Sequence, residues 1–176
     1  MAVSLAIWLV LAACAVAVAT DVATRRIPNV LTAALAVAAL ALHATAGWSS
    51  FAIACATLIG VTFIGFAAFS FGWLGGGDVK LLAAGAATLG FPDAVPFLIY
   101  TALAGGVLAL VFAIALGRLG SVFASIGLVL RPFAYKGTVA VAPRKPITLP
   151  YAVAIASGAA AVALSHSVVP FLRLPL

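Results

Sequence analysis

Long apolar runs separated by short polar breaks constrain this chain more than any other feature. Of its 176 residues, 66% are hydrophobic and only 7% are charged, and the mean hydropathy is +1.34. In soluble domains about a quarter of all residues are charged. This chain has too few charged residues to form a surface that faces water. A helix that crosses a bilayer uses about 20 apolar residues. The length therefore predicts an all-α membrane protein with roughly five to seven spans and no soluble domain beside them.

The apolar runs and their breakers predict a bundle of six transmembrane helices in a single membrane-embedded domain over residues 1–176. We place these helices at 3–20, 30–46, 51–73, 79–89, 96–116 and 148–164. The fourth segment is short for a span, which local thinning of the membrane can accommodate. A cytoplasmic linker at 117–147 precedes the sixth helix. Its apolar stretch 121–130 is too short to cross and is expected to lie in the interface.

Basic residues predict the orientation of these helices. A secretory signal peptide begins with positive charge, but no Lys or Arg precedes Arg25, so we expect a retained first helix with its N-terminus outside. Cytoplasmic loops are enriched in Lys and Arg. This orientation puts eight of the nine basic residues on the cytoplasmic side and leaves Arg173 outside, near an external C-terminus. The scattered charges form no patch for nucleic acid and are expected to contact anionic lipids of a plasma membrane.

Two of the three acidic residues, Asp21 and Asp78, are predicted to lie at the same cytoplasmic edge, while Asp93 falls outside. Two carboxylates that lie close together share a proton, because both cannot ionise cheaply. One can then act as a general base on water, while the other donates a proton to a scissile carbonyl oxygen. These are the two roles of an aspartic peptidase, which requires neither a metal nor an organic cofactor.

Three consecutive glycines, Gly75, Gly76 and Gly77, precede Asp78. Glycine adopts backbone conformations that are closed to other residues, and it lets an extended peptide approach the main chain. Non-helical backbone at membrane depth is tolerated only where it is buried in protein or lines a wet cavity. The glycine run therefore predicts an irregular backbone beside a water-accessible cleft.

Other interpretations of the aspartates stay open at this point. Asp21 can pair with Arg25, and Asp78 can cap the fourth helix or pair with Lys80. Acidic groups in membranes also serve as proton or ion sites, as in a small proton-coupled transporter. Such a transporter places its acids near the midplane, whereas both aspartates here are predicted at one face. A non-catalytic subunit of a pilus or secretion machine is a further alternative.

The segments around both aspartates resemble the two motifs of the type IV prepilin peptidases. Residues 21–29, DVATRRIPN, resemble the first motif, in which an Asp is followed by a basic residue and Ile-Pro-Asn. Residues 75–80, GGGDVK, resemble the second, the GxGD motif with a lysine two residues on. Residues 150–158, PYAVAIASG, are similar to a stretch of the family's last helix. The resemblance covers nearly the whole chain.

This resemblance implies an aspartic endopeptidase of the bacterial inner membrane. Such an enzyme removes the short basic leader from a prepilin at the cytoplasmic face, before the hydrophobic helix of the pilin. By position, the resemblance assigns Asp21 and Asp78 as the catalytic pair and Lys80 as a motif residue. Thr24 and Asn29 lie near Asp21 in the sequence and are candidates to bond the pair or the substrate backbone.

Two histidines and two cysteines bear on whether the protein holds a metal and on which form of the enzyme it resembles. His43 and His166 are predicted on the outer side, away from the aspartates, so neither is expected to hold a metal or act as a base. Long prepilin peptidases carry paired cysteines in an extra segment associated with N-methylation. Cys14 and Cys55 lie inside apolar runs without paired spacing. The chain therefore resembles the short form that serves Flp-type pili, with no methyltransferase activity expected.

Overall fold

The structure, a computed structural model, describes residues 2–117 and 150–167. These residues form six helices and no strand, which confirms the predicted all-α class for this part of the chain. The helices are α1 (Ala2–Thr24), α2 (Asn29–Ala46), α3 (Trp48–Ser70), α4 (Gly76–Leu89), α5 (Ala94–Ala115) and α6 (Tyr151–Ser167). The predicted interfacial segment 121–130 lies outside the described residues.

Four of these helices, α1, α2, α3 and α5, are long and apolar enough to cross a membrane, with mean hydropathies between 1.7 and 2.4. The other two are shorter: α4 has 14 residues and α6 has 17. At about 1.5 Å per residue, α4 is roughly 21 Å long, against a hydrocarbon core of about 30 Å. The chain is therefore a membrane protein with four candidate spans among its described residues. That α4 and α6 also cross stays a prediction.

Contacts divide the chain into two compact units, residues 1–105 with 150–176 and residues 106–149. In the second unit, the structure describes the last part of α5 and the two residues that follow it. The first unit contains both aspartate motifs, and all contacts described below lie within it.

Helix α4 is at the centre of the first unit, in contact with α1, α2, α3 and α6. Eight of its residues are buried, and most of these are alanine or glycine. Small residues let helix backbones approach closely in a membrane, where lipid supplies no hydrophobic drive for helix association. A Cβ at Gly65 of α3 would lie 2.7 Å from Val79 Cγ1, and one at Gly85 would lie 3.1 Å from Phe97 Cζ. A side chain at either glycine would require its neighbour, Val79 or Phe97, to shift.

Many of the large apolar side chains point away from this core, although a few, such as Phe97, are buried in it. Trp8, Trp48, Phe63 and Ile64 are all exposed, as expected for a surface that faces lipid rather than water. Helices that are apolar on every side are typical of membrane spans. A core rich in small residues, with many large apolar side chains on the surface, therefore agrees with a membrane-embedded bundle.

The first helix extends further than the sequence predicted. Residue 20 was its expected end, but α1 continues to Thr24, so Asp21 lies within the helix. The Arg25 N–H still donates to the Asp21 carbonyl over 2.8 Å. Arg25 then adopts φ of 55° and ends the helix, as residues in the left-handed region commonly do. Asp21 is consequently held by a helical backbone instead of a loop.

Candidate active site

Asp78 lies in the first turn of α4, where its side chain caps the helix. Gly75 precedes the helix in an extended conformation, and its N–H donates to Asp78 Oδ2 over 3.1 Å. The cap was one of the alternatives left open by the sequence, and it is observed. It also fixes the orientation of the carboxyl group, because a side chain bonded to the backbone loses rotational freedom.

The three glycines before Asp78 provide space instead of unusual backbone conformations. Positive φ values occur at other glycines but at none of these three, and Gly76 and Gly77 are already helical. The prediction of backbone conformations closed to other residues was therefore wrong, although Gly75 itself lies outside the helix. A Cβ at Gly75 would lie 2.7 Å from Asp78 Oδ2, and one at Gly77 would lie 3.1 Å from Ile27 Cβ. The glycines thus make room for the carboxylate and for the segment that joins α1 to α2.

Asp21 is almost entirely buried, with 8% of its surface exposed. Its Oδ2 atom has no hydrogen-bond partner among the described residues. A buried polar atom without a partner costs about 1–3 kcal/mol, and such atoms in native proteins call for an explanation such as a catalytic role. Asp21 therefore offers an open acceptor within the protein.

The two carboxylates interact electrostatically. Asp78 lies ahead of the fourth apolar segment and outside the four candidate spans. Burial raises the pKa of Asp78 from its ordinary 3.8 to about 6, the hydrogen bond from Gly75 opposes this rise, and the negative charge of Asp21 adds to it. The structure thus brings together two aspartates that are far apart in sequence, and it makes Asp78 bind a proton more tightly than an ordinary aspartate does. The site thus combines a carboxyl group with a raised pKa at Asp78 and, at Asp21, a carboxylate oxygen that is unpartnered in the described part of the chain.

A second contact ties the two motifs together. Lys80 Nζ donates to Asn29 Oδ1 over 2.9 Å. With the close approach of Gly77 to Ile27, this bond holds the start of α4 against the start of α2. The sequence offered Lys80 as a motif residue or as a partner of Asp78. The bond to Asn29 gives it a different contact, which no local sequence pattern indicates.

The remaining predicted site residues, Thr24 and Gly76, have no described contact with the two aspartates. Thr24 donates to the carbonyl of Thr20 over 2.8 Å, so its hydroxyl serves the end of α1 and not the aspartates. A Cβ at Gly76 would lie 3.8 Å from the Phe69 ring, an ordinary contact distance.

Tyr151 is a site residue for which the sequence predicted no role. It is the first residue of α6, and the charge of Asp78 acts on its phenol group. A Cβ at Gly105 of α5 would lie 2.7 Å from the Tyr151 hydroxyl, so the ring is packed against that helix. Tyr151 therefore approaches the aspartates from α6. The signal available in the sequence was its place in the stretch that resembles the last helix of the prepilin peptidases.

The histidines are at the other end of α4, as predicted. His166 Nε2 lies 3.0 Å from Asp93 Oδ1. His43 Nδ1 lies 2.7 Å from Ser50 Oγ, and its Nε2 lies 3.3 Å from the Thr88 carbonyl. Within residues 2–117 and 150–167, no group of three or more His, Cys, Asp or Glu side chains is arranged to hold a metal ion.

Comparison with known proteins agrees with this geometry. The sequence profile of the type IV leader peptidase family matches residues 8–110, which is more than half of the chain and includes Asp21, Asn29, Asp78 and Lys80. No curated protein and no solved structure matches. The resemblance inferred from the two motifs is confirmed, and the chain belongs to the type IV leader peptidase family.

Proposed function

We propose that this protein is an aspartic endopeptidase that cleaves the short basic leader from type IV prepilins, with Asp21 and Asp78 activating a water. Membership of a leader peptidase family supports the peptidase class. The observation that carries the catalytic assignment is the pairing of a buried Asp21, whose Oδ2 has no hydrogen-bond partner among the described residues, with an Asp78 whose pKa is raised to about 6 by burial and by the charge of Asp21.

In the proposed reaction, the aspartates divide the proton transfers between them. Asp21, ionised, accepts a proton from water as the water oxygen attacks the scissile carbonyl carbon. Asp78, protonated, donates its proton to the carbonyl oxygen, which gives a neutral tetrahedral intermediate. Collapse of that intermediate breaks the C–N bond, with the proton on Asp21 passing to the leaving amine and a hydroxyl proton returning to Asp78. The pair then has its starting protonation, so no metal or other cofactor enters the balance.

The depth of the pair is suited to a substrate that is itself a membrane helix. Both aspartates lie at the ends of apolar helices, where a prepilin would present the junction between its basic leader and its hydrophobic helix. Lateral entry from the bilayer would bring that junction to the start of α4. We place this site at the cytoplasmic face of a bacterial inner membrane, with both termini outside, because that orientation collects the basic residues inside.

We further propose the short-form specificity of an Flp-type enzyme without N-methyltransferase activity. The two cysteines are free, with Cys14 buried in α1 and Cys55 partly buried in α3. They supply no paired motif like that of the long forms.

Co-expression with an Flp-type prepilin tests the proposal. The wild-type protein should convert the precursor to a shorter species on a gel, and mass spectrometry should find a new, unmethylated N-terminus directly after the leader. Asp78→Asn should leave the precursor intact while the protein stays in the membrane. An uncleaved precursor with the wild-type protein, together with proton flux in proteoliposomes, would favour the transporter. A methylated product would overturn the short-form assignment alone.

A further inference from the structure

An open groove runs between α2, α3 and α4, beginning at the bond between Lys80 and Asn29. It encloses about 290 Å³. Its polar lining consists of Asn29, Thr32, Thr62 and Lys80. From Asn29 to its last lining residue on α2, the groove extends about 10 Å along that helix. It therefore leads from the polar start of the helices into the apolar part of the bundle.

The rest of the lining is apolar, formed by three alanines and one leucine: Ala33, Ala36, Ala83 and Leu58. The groove is open on one side, because Ala33 and Thr62 are exposed. Phe63, next to Thr62, is 76% exposed. A large aromatic side chain this exposed indicates a surface that faces lipid. The opening of the groove is consequently accessible from the bilayer.

The polar end of the groove has positive charge and spare hydrogen-bond donors. A lysine ammonium group has three donors, and the described contact of Lys80 Nζ is with the neutral Asn29. Asn29 accepts this bond through Oδ1, which leaves its side-chain NH₂ group as a donor. The salt bridge found among the described residues joins Asp93 to His166 and does not involve Lys80. An anionic group with several acceptor oxygens complements this end.

The apolar part of the groove excludes two other kinds of occupant. A helix about 10 Å across would fill several times 290 Å³ over the same length. An extended peptide would need donors for its backbone carbonyls as well as acceptors for its N–H groups. The only hydroxyls in the described lining have already given up their protons, because Thr32 donates to the Asn29 carbonyl and Thr62 to the Leu58 carbonyl, so they offer a peptide carbonyl no hydrogen bond. A hydrocarbon chain requires no hydrogen bonds at all.

We propose that this groove binds one acyl chain of an anionic phospholipid, whose phosphate is held by Lys80 and Asn29. The phosphate oxygens accept hydrogen bonds from the Lys80 ammonium and the Asn29 amide. The first part of the acyl chain lies along α2, against the alanines. This inference goes beyond the proposed peptidase activity and does not depend on it, since it concerns only the shape and charge of the groove.

Lipid retention by matched variants tests this site. The full chain is reconstituted with equal amounts of phosphatidylglycerol and phosphatidylcholine, gently extracted, and analysed by native mass spectrometry. The wild type should retain phosphatidylglycerol in preference. Ala33→Leu fills the groove and should abolish retention, whereas Ala34→Leu adds the same volume at an exposed neighbour outside the lining and should not. Thr62→Leu fills the groove from the opposite wall and provides a second variant if Ala33→Leu fails to fold.

A second pair of variants tests the contribution of the Lys80 charge to lipid binding. Lys80→Gln should lower the preference for phosphatidylglycerol about fivefold, whereas Arg26→Gln removes the same charge from the nearby exposed loop and should leave it unchanged. Excess inorganic phosphate should not displace the lipid.

Four results would overturn the proposal. Wild-type retention in both groove-filling variants would remove the acyl-chain site. An equal effect of Arg26→Gln would indicate general attraction of headgroups to basic residues, and displacement by inorganic phosphate would indicate a free-phosphate site. Unchanged lipid retention with loss of prepilin cleavage in Ala33→Leu would assign the groove to the substrate.

Discussion

At one end of α4, Asp93 pairs with His166, and His43 contacts both Ser50 and a backbone carbonyl. At the other end, Asp21 is buried with an unpartnered oxygen, and its charge opposes ionisation of Asp78. The aspartate at one end thus has an ion-pair partner, whereas at the other end one aspartate has an unpartnered oxygen and its charge disfavours ionisation of the second. Partnered groups stabilise a fold, whereas buried groups with perturbed ionisation cluster at functional sites. This contrast separates a structural acid from two candidate catalytic acids.

The largest expected effect comes from making the same substitution at both ends. Asp21→Asn and Asp78→Asn should each lower prepilin cleavage by at least about 10³-fold, because an amide neither accepts nor donates the required proton. Asp93→Asn removes the third acid in the same way and should leave cleavage close to wild type. Gel-based cleavage with membranes of matched protein content measures all three. Comparable loss in Asp93→Asn would erase the distinction between the two ends.

The next effect tests the space around Asp78. Gly75→Ala would place a Cβ 2.7 Å from Asp78 Oδ2 and should shift the carboxyl group, lowering cleavage about 10²-fold. Gly76→Ala is the matched control, because its Cβ meets only the Phe69 ring at 3.8 Å. Thermal unfolding should change little in either variant, since the contact at Gly75 is with the end of a side chain. Equal activity in the two variants would remove the proposed role of Gly75.

A smaller and graded effect concerns pH. If Asp78 must be protonated, kcat/KM should fall about tenfold per pH unit above the pKa of Asp78, which is about 6. Cleavage of a detergent-solubilised prepilin across this range measures it. An activity that stays level well above pH 6 would contradict the role of Asp78 as the acid.

The same group should affect stability with a defined sign. Because the pKa of Asp78 is raised in the folded protein, the folded state binds this proton more tightly than the unfolded chain does. The resulting stabilisation is full below pH 3.8, the ordinary value, and is lost as the pH rises through about 6. Thermal unfolding from pH 4 to pH 7 should show this decline, and Asp78→Asn should remove it. Asp21→Asn should move the decline to lower pH, because one of the two causes that raise the pKa is then absent.

The smallest effect compares the bonds at the two ends. A double-mutant cycle of Asn29→Ala and Lys80→Met should give a coupling of about 1 kcal/mol in unfolding. A cycle of Asp93→Asn and His166→Ala should give a similar or smaller value, since both side chains are partly exposed. The difference should appear in cleavage rates, where only the Asn29–Lys80 cycle is expected to show coupling. Coupling of the Asp93–His166 pair to cleavage would link the two ends.

The sequence predicted where the helices are but not which faces they bury. Runs of apolar residues coincide with all six described helices, and length and hydropathy identify four of them as candidate membrane spans. Their buried faces could not be identified, since helices that are apolar on every side show no periodicity. The central place of α4 therefore appears only in the structure. The end of α1 was missed for a related reason, because a polar residue such as Asp21 was taken as a break although it does not stop a helix.

Within the candidate site, residue types were easier to predict than contacts. Asp21, Asp78, Lys80 and Asn29 were identified from scarce polar groups and from the two motifs. The bond between Lys80 and Asn29 depends on how α2 and α4 pack, which no local pattern encodes. The glycine run was misinterpreted because conformational freedom is a property of glycine itself, whereas the space it provides depends on Ile27 and on the Asp78 carboxylate.

The short length of α4 has a consequence for the membranes in which this protein can work. A helix in contact with lipid must match the thickness of the bilayer, by tilting or by deforming it. Helix α4 is covered by other helices along most of its length. Its short length therefore has little need to match the thickness of the bilayer. We therefore expect a thicker or thinner bilayer to act on the four helices long enough to cross it, whereas α4, which carries Asp78, is held by protein neighbours. We expect this aspartate to keep its surroundings when the lipid composition of the membrane changes.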